Sequence, residues 1–217
     1  MPTSEKEGRT PGELEAARKL FAGPCEFVAG AASLDSMIAI STPEVAFAGR
    51  SNVGKSSLLN RLVGRRALAR VSHTPGRTRE VNFFRVNDAF VIADLPGYGY
   101  ARISNERKAA WRPLIEGYLS GSPQLRGVVL LIDMRHDPTD DDHAMRDYLG
   151  DLGAPTLIAL TKADKLSKQQ VADRRAALAR DLGVTDDQVV TTSADKGLGR
   201  DELAAAIVSL VEAPSWR

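Results

Sequence analysis

The 217-residue chain has a single cysteine, Cys25, so no intrachain disulfide can form. It also lacks an apolar run long enough to cross a bilayer, a charged start followed by an apolar stretch and a cleavage site, and, in Met1-Pro2-Thr3, the glycine that myristoylation needs. These absences argue against a disulfide-stapled secreted scaffold and give the expectation of a cytoplasmic protein without membrane insertion. Net charge is nearly missing too: 29 Lys+Arg against 28 Asp+Glu leave +1, so overall charge does not announce a nucleic-acid binder and local asymmetry must decide. There is no internal repeat or low-complexity tract. At 43% hydrophobic, 217 residues accommodate one α/β domain plus an extension and leave no room for a second catalytic domain. Cys25 reads as a small buried hydrophobe rather than a reactive thiol, because no histidine or redox partner lies near it in sequence.

What is present is organised around Gly49-Arg50-Ser51-Asn52-Val53-Gly54-Lys55-Ser56, the G-x-x-x-x-G-K-[ST] spacing of a phosphate-binding P-loop. Residues 44–48 before it are short and apolar like a buried strand, and residues 57–63 after it have helical spacing. A strand-to-helix turn of consecutive backbone N–H groups cradles phosphate oxygens. Gly49 and Gly54 permit the backbone geometry, Lys55 would reach the β- and γ-phosphates, and the Ser56 hydroxyl would complete a Mg²⁺ shell of water and phosphate oxygen.

Residues 1–24 are expected to form an N-terminal extension, partly disordered, with helical spacing over 12–21, and 25–217 the main domain. An extended segment over 26–32 leads to a helix or loop over 33–43. After the P-loop helix, residues 64–79 are too polar and broken for a core element and read as a functional loop. Residues 80–86 and 89–93 read as a hairpin joined at Asn87-Asp88. Its second strand runs into Asp94-Leu95-Pro96-Gly97. A strand-end Asp before Pro-Gly is by itself turn chemistry. One hairpin downstream of a P-loop, it reads as an acid holding Mg²⁺ through water, with the Gly97 N–H free to meet a γ-phosphate.

Residues 106–119 read as a helix that Pro113 should kink or shorten. A strand over 127–132 ends at Asp133, and Thr139 with Asp140, Asp141 and Asp142 reads as a capped helix start with its acids facing solvent. A strand over 155–160 delivers Thr161-Lys162-Ala163-Asp164. Ser167 to Gln170 forms a capping box, a last strand over 188–191 ends in Thr192-Ser193-Ala194, and a helix closes the chain. Strands alternating with helices imply a mostly parallel sheet covered on both faces, with ligands bound outside the carboxyl ends of the strands, where every motif falls.

With these motifs the chain resembles the EngB family of bacterial ribosome-biogenesis GTPases, on residues 43–58, on Thr74-Pro75-Gly76-Arg77-Thr78 and on the run from Asp94 to Ala101. The resemblance implies a three-layer α/β P-loop NTPase of Ras-like G-domain form, with a mostly parallel six-stranded sheet, one antiparallel edge strand and helices on both faces. It implies GTP or GDP as ligand, bound by residues 49–56, Gly76, Arg77, Thr78, Arg79, Glu80, Asp94, Leu95, Pro96, Gly97, Thr161, Lys162, Ala163, Asp164, Thr192, Ser193 and Ala194. Mg²⁺ would be held by Ser56 and Thr78, and slow hydrolysis carried by Lys55, Thr78 and Gly97. Asp164 matches the guanine reader, Lys162 would lie along the base, and Ala194 would present a backbone N–H to the guanine O6. Thr161 stands where many GTPases have asparagine. Tyr98 stands where Ras-like GTPases place the water-orienting glutamine, so its ring is expected to turn from the phosphates. Asn52 matches a P-loop position that in similar GTPases helps to bind K⁺. Arg77 or Arg79 would be an alternative source of positive charge.

The implied partner is the large (50S) ribosomal subunit and its rRNA, with a link to septation and cell division, no DNA, and a monomeric chain. Charge placement adds to this. Arg61, Arg65, Arg66, Arg70, Arg77, Arg79 and Arg85 face only Glu80 in the same stretch, and Arg102, Arg107, Lys108 and Arg112 follow the second motif loop. Arginine favours phosphate through bidentate geometry. The same arginines would equally suit a solvated face or a nucleotide grip. A Ras-type protein-binding switch and an ATPase or nucleotide kinase remain the competing readings, the latter opposed by Thr161 to Asp164.

Overall fold

The computed structural model describes residues 9–65, 80–99 and 105–217, with only the backbone of 105–111 included. Seven strands form one sheet, β1 (Cys25–Ala31), β2 (Glu44–Gly49), β3 (Val81–Val86), β4 (Phe90–Asp94), β5 (Leu125–Asp133), β6 (Thr156–Thr161) and β7 (Val189–Thr191), in the order β1-β3-β4-β2-β5-β6-β7. Helices α1 (Pro11–Ala22), α2 (Lys55–Leu62), α3 (Asn105–Gly121), α4 (Asp140–Asp151), α5 (Lys168–Asp181) and α6 (Arg200–Glu212) cover its two faces.

The layers follow from the period-two alternation of the central strands. Val45, Phe47, Val129 and Leu131 pack with α1, α2 and α6, whereas Ala46, Ala48, Val128, Leu130 and Ile132 pack with α3, α4 and α5. Both faces of β2 and β5 are thereby buried, as strands flanked by helices on each side must be.

Two details differ from the expected sheet. It has seven strands rather than six, because residues 25–31 pair along β3 with Phe27 opposite Phe84 and Ala31 opposite Val81. The antiparallel strand is β3, which lies between β1 and β4, so the edge belongs to β1. The Asn87-Asp88 turn takes positive φ at both residues (46° and 53°), the backbone of a type I′ hairpin that Asn and Asp tolerate.

Local sequence sets the helix starts. Thr10 caps α1, with Glu13 returning a carboxylate to the Thr10 N–H at 2.7 Å and Pro11 in the first turn. At the start of α5 the Gln170 amide oxygen accepts from the Ser167 N–H at 2.9 Å in the same way. Pro113 does not end α3, which runs from Asn105 to Gly121. Leu114, Ile115, Tyr118 and Leu119 are buried against the sheet, and their packing outweighs one missing backbone hydrogen bond. α1 packs on α6, with Ala17 and Phe21 buried and the Phe21 ring meeting Phe90 edge-on at 5.6 Å. Among the described residues no helix is long and apolar enough to cross a membrane.

Candidate functional site

β2 ends at Gly49, and the chain turns through the P-loop into α2. Gly49 has to be small: a Cβ there would sit 3.0 Å from Val53 Cγ1 and 3.1 Å from Leu131 Cβ. Asn52 takes φ 66° and Gly54 φ 106°. No side chain caps α2, so the first-turn N–H groups that begin at Lys55 and Ser56 face the loop without a capping oxygen. Ser56 is half-buried in that first turn.

β4 lies parallel to β2 and delivers Asp94 beside the P-loop, where its carboxylate pairs with the Lys55 ammonium. Leu95 and Pro96 are buried, and the Leu95 N–H donates to Phe47 O at 3.0 Å. The loop then runs along the P-loop: Tyr98 N–H donates to Gly49 O (3.3 Å), Ser51 N–H donates to Tyr98 O (2.9 Å), and Ser51 Oγ donates to Gly97 O (3.3 Å). A Cβ at Gly97 would come 3.1 Å from Ser51 N, so this approach needs glycine.

Tyr98 is buried and its hydroxyl donates to Asp142 Oδ1 at 3.0 Å. Burial first, and then the neighbouring carboxylate, push the Tyr98 phenol well above its ordinary pKa. The expected solvent-facing acidic cluster is thus corrected at Asp142, whose other oxygen accepts from Thr139 N (2.9 Å) and Thr139 Oγ1 (2.8 Å). One carboxylate therefore caps α4 and anchors Tyr98, which only the approach of α4 to the loop after β4 could reveal. Arg50 Nη2 reaches Gly99 O at 3.5 Å from the same side.

The other end of the site is assembled from the ends of β6 and β7. Thr161, buried, donates from Oγ1 to Val53 O at 2.7 Å and so ties β6 to the P-loop. Lys162, at φ 63°, donates from Nζ to Asn52 O (2.7 Å) and pairs with Asp133 (2.9 Å). Asp133 is itself held by Arg135 Nε and Nη2 at 2.9 and 2.8 Å. Burial disfavours the Asp133 carboxylate, but hydrogen bonds from Arg135 and Lys162 overcome it and hold its pKa well below the usual range. Ala163 N–H donates to Thr192 O at 3.1 Å, and Thr192 is buried.

Asp164 Oδ1 accepts from Ser193 Oγ at 2.7 Å. The Lys165 ammonium lies 2.9 Å from Oδ2 but off the line of a hydrogen bond, so this buried oxygen has no directed donor. Lys165 and then Ser193 keep Asp164 below its ordinary pKa, and therefore ionised at neutral pH. It borders a cleft of about 370 Å³ lined also by Gly54, Ser57, Thr161, Lys162, Thr192 and Ala194. The structure thus brings the P-loop, the Asp94 to Gly97 loop, and both Thr161 to Asp164 and Thr192 to Ala194 to one edge of the sheet.

Gly76, Arg77, Thr78 and Arg79 lie outside the described residues, as do Arg66, Arg70 and Arg102. Glu80 is exposed and lies against Gly30 of β1, three strands from β2. The basic cluster is also redistributed. Arg61 donates to Ala194 O and Asp195 O at 2.6 Å each, and Arg112 pairs with Glu116 at 2.5 Å. Sequence reasoning missed Asp133 and Arg135. The available signal was that Asp133 ends a strand as Asp94 does, and it pairs in register with Thr161.

The site's donor set suits a hydrated divalent cation beside phosphates: a hydroxyl at Ser56 and the buried carboxylate of Asp94. The uncompleted Asp164 Oδ2 suits a ligand edge rich in N–H donors.

The family model described as "50S ribosome-binding GTPase" matches residues 44–162. The chain is 63% identical over 178 residues to the probable GTP-binding protein EngB of Gemmatimonas aurantiaca, covering 82% of this chain and 87% of that one. It is 49% identical over 183 residues to the protein of the same description from Pelotomaculum thermopropionicum, covering 84% and 92%. Among solved structures, the crystal structure of a probable GTP-binding protein engB superposes with a TM-score of 0.66 at 26% identity, over 77% of this chain and 98% of that one.

Proposed function

The chain belongs to the EngB family of GTP-binding P-loop GTPases, and from that premise we propose that it is a nucleotide-gated assembly factor for the large ribosomal subunit in the cytoplasm, needed for normal septation. The observation that carries this reading is the match of the 50S ribosome-binding GTPase model to residues 44–162, the span from the base of the P-loop strand to Lys162.

Each end of the site has a part in the GTPase reaction. The α2 N-terminus and Lys55 receive the phosphates, and Asp164 accepts the N1 and amine hydrogens of guanine, a pairing adenine does not offer. Lys162, held in place by Asn52 O and Asp133, would lie along the base. Ser56 and, through water, Asp94 would hold Mg²⁺, together with Thr78. The ion supplies charge neutralisation at the transferred phosphoryl group. Lys55 and Asp94, paired with each other here, would then face the phosphates and the hydrated ion respectively. The Gly97 N–H is the contact to the γ-phosphate, and its neighbour Tyr98 is spent on Asp142. No side chain at that position orients the attacking water, so intrinsic turnover is slow and added positive charge sets the rate. The loop from Gly97 to Gly99, zipped to the P-loop, and the segment around Thr78 then convert nucleotide state into surface state.

Co-sedimentation with isolated 50S and 30S subunits tests this reading. The protein is expected on 50S with a non-hydrolysable GTP analogue and in the supernatant with GDP. Equal recovery in both states, or on both subunits, would overturn it.

A further inference from the structure

One arginine of the basic stretch is committed to backbone carbonyls. Arg61, late in α2, donates from Nε to Ala194 O and from Nη2 to Asp195 O, both at 2.6 Å. Its own end of the helix is fixed from α6, where Arg200 donates to Arg61 O at 3.1 Å and to Leu62 O at 2.8 Å.

A peptide plane is rigid and its C=O and N–H point in opposite directions, so holding a carbonyl aims the following N–H. The Asp195 carbonyl therefore sets the Lys196 N–H, which donates to Ser193 Oγ at 3.0 Å, and that hydroxyl donates on to Asp164 Oδ1 at 2.7 Å. The Ala194 carbonyl sets the Asp195 N–H in the same way, and holding it also fixes the position of Ala194, whose own N–H lies in the preceding plane. Ala194, Asp195 and Asp164 all line the cleft that Gly54 and Ser57 border from the phosphate side.

We propose that Arg61 is a positioning residue for base discrimination: it fixes the backbone from Ala194 to Lys196 and, through Ser193, the Asp164 carboxylate, so that the helix gripping the phosphates also sets the edge that reads guanine. This rests on the guanine site proposed above. It also commits two of the guanidinium nitrogens of Arg61, which stays exposed, to carbonyls of this chain.

The test compares wild type, Arg61→Gln and Arg61→Lys by competition with GDP, with IDP, which lacks the exocyclic amine, and with 6-thio-GDP, whose sulfur is a poorer acceptor at position 6. Arg61→Gln is expected to weaken GDP about tenfold, as loss of charged hydrogen bonds to a site-forming loop should. The preference for GDP over each analogue should shrink at least about threefold, because both reading edges loosen. Arg61→Lys, with one point donor, should keep part of that preference, and serves alone should the glutamine variant not fold. Equal losses for all three nucleotides would reduce Arg61 to a support of the fold and overturn the proposal. So would unchanged nucleotide affinity with weakened 50S binding. A wild type with no preference for GDP over IDP would instead remove the guanine reading, and this inference with it.

Discussion

Asp164 shows how one residue is prepared for one ligand. One oxygen is fixed by Ser193 and the other is buried without a directed donor, so the carboxylate stands ionised with acceptor capacity in reserve. Asp164→Asn exchanges part of that capacity for a donor. GTP affinity should fall by about 1.5–3 kcal/mol and xanthosine triphosphate should become the better ligand. Competition binding with both nucleotides checks this, and unchanged GTP affinity would point to another reader. At Asn52 the backbone is committed, with φ 66° and its carbonyl accepting from Lys162, while the residue itself is exposed at the loop. We expect K⁺ to accelerate single-turnover hydrolysis over Na⁺ at equal ionic strength, and Asn52→Ala to abolish the difference. Equal rates in both salts, with and without the 50S subunit, would return attention to Arg77 and Arg79.

Among the elements, β2 and α3 are joined far from the nucleotide by a buried carboxylate. Glu44 opens β2 and accepts from Tyr118 Oη at 2.5 Å and Ser122 Oγ at 3.0 Å. Burial raises its pKa above the ordinary carboxylate value, and the hydrogen bonds from Tyr118 and Ser122 offset this only in part. A folded pKa above the unfolded one means that the native state binds the proton more tightly. The associated stability is complete below the unfolded value and is lost as pH rises through the folded one. Glu44→Gln removes that titration. Its Tm relative to wild type should therefore increase as pH rises above the ordinary glutamate value and through the raised folded one. A pH-independent difference in thermal melts would show that Glu44 does not titrate there.

At the scale of the whole molecule, the strand ends gather the P-loop, the Asp94 to Gly97 loop, Thr161 to Asp164 and Thr192 to Ala194, while the described basic residues divide between those held by partners and those left to solvent. Both Arg61 and Arg65 are exposed, but Arg61 is committed to carbonyls, and Arg65 follows just past α2. Reversing Arg65 and Arg66 to Glu should lower 50S affinity, flatten its salt dependence and leave nucleotide affinity intact, because phosphate contacts by arginine act through counterion release. Loss of GTP binding with undiminished 50S binding would assign those arginines to the nucleotide. α1 belongs to this scale as well: with Phe21 and Ala17 buried against β4 and α6, it closes one face of the core.

The amino-acid sequence by itself determined the fold class and the order of the site, because both rest on local rules. The P-loop spacing, the strand-end Asp94, the Thr161 to Asp164 run just past a strand, the capping pair Ser167–Gln170, and the two-residue period of residues 44–48 act within a few residues of one another. Only the tertiary structure decided partnerships between distant segments. Pairing of residues 25–31 along β3 added the seventh strand, and the approach of α4 to the Asp94 loop turned Asp142 from a surface acid into the partner of Tyr98. The convergence of α2 with the loop after β7 gave Arg61 two carbonyls to hold. A side chain's reach is written in the sequence, but which carbonyl or carboxylate lies within it depends on how the layers stack, and there a long polar residue has many possible partners until packing leaves one.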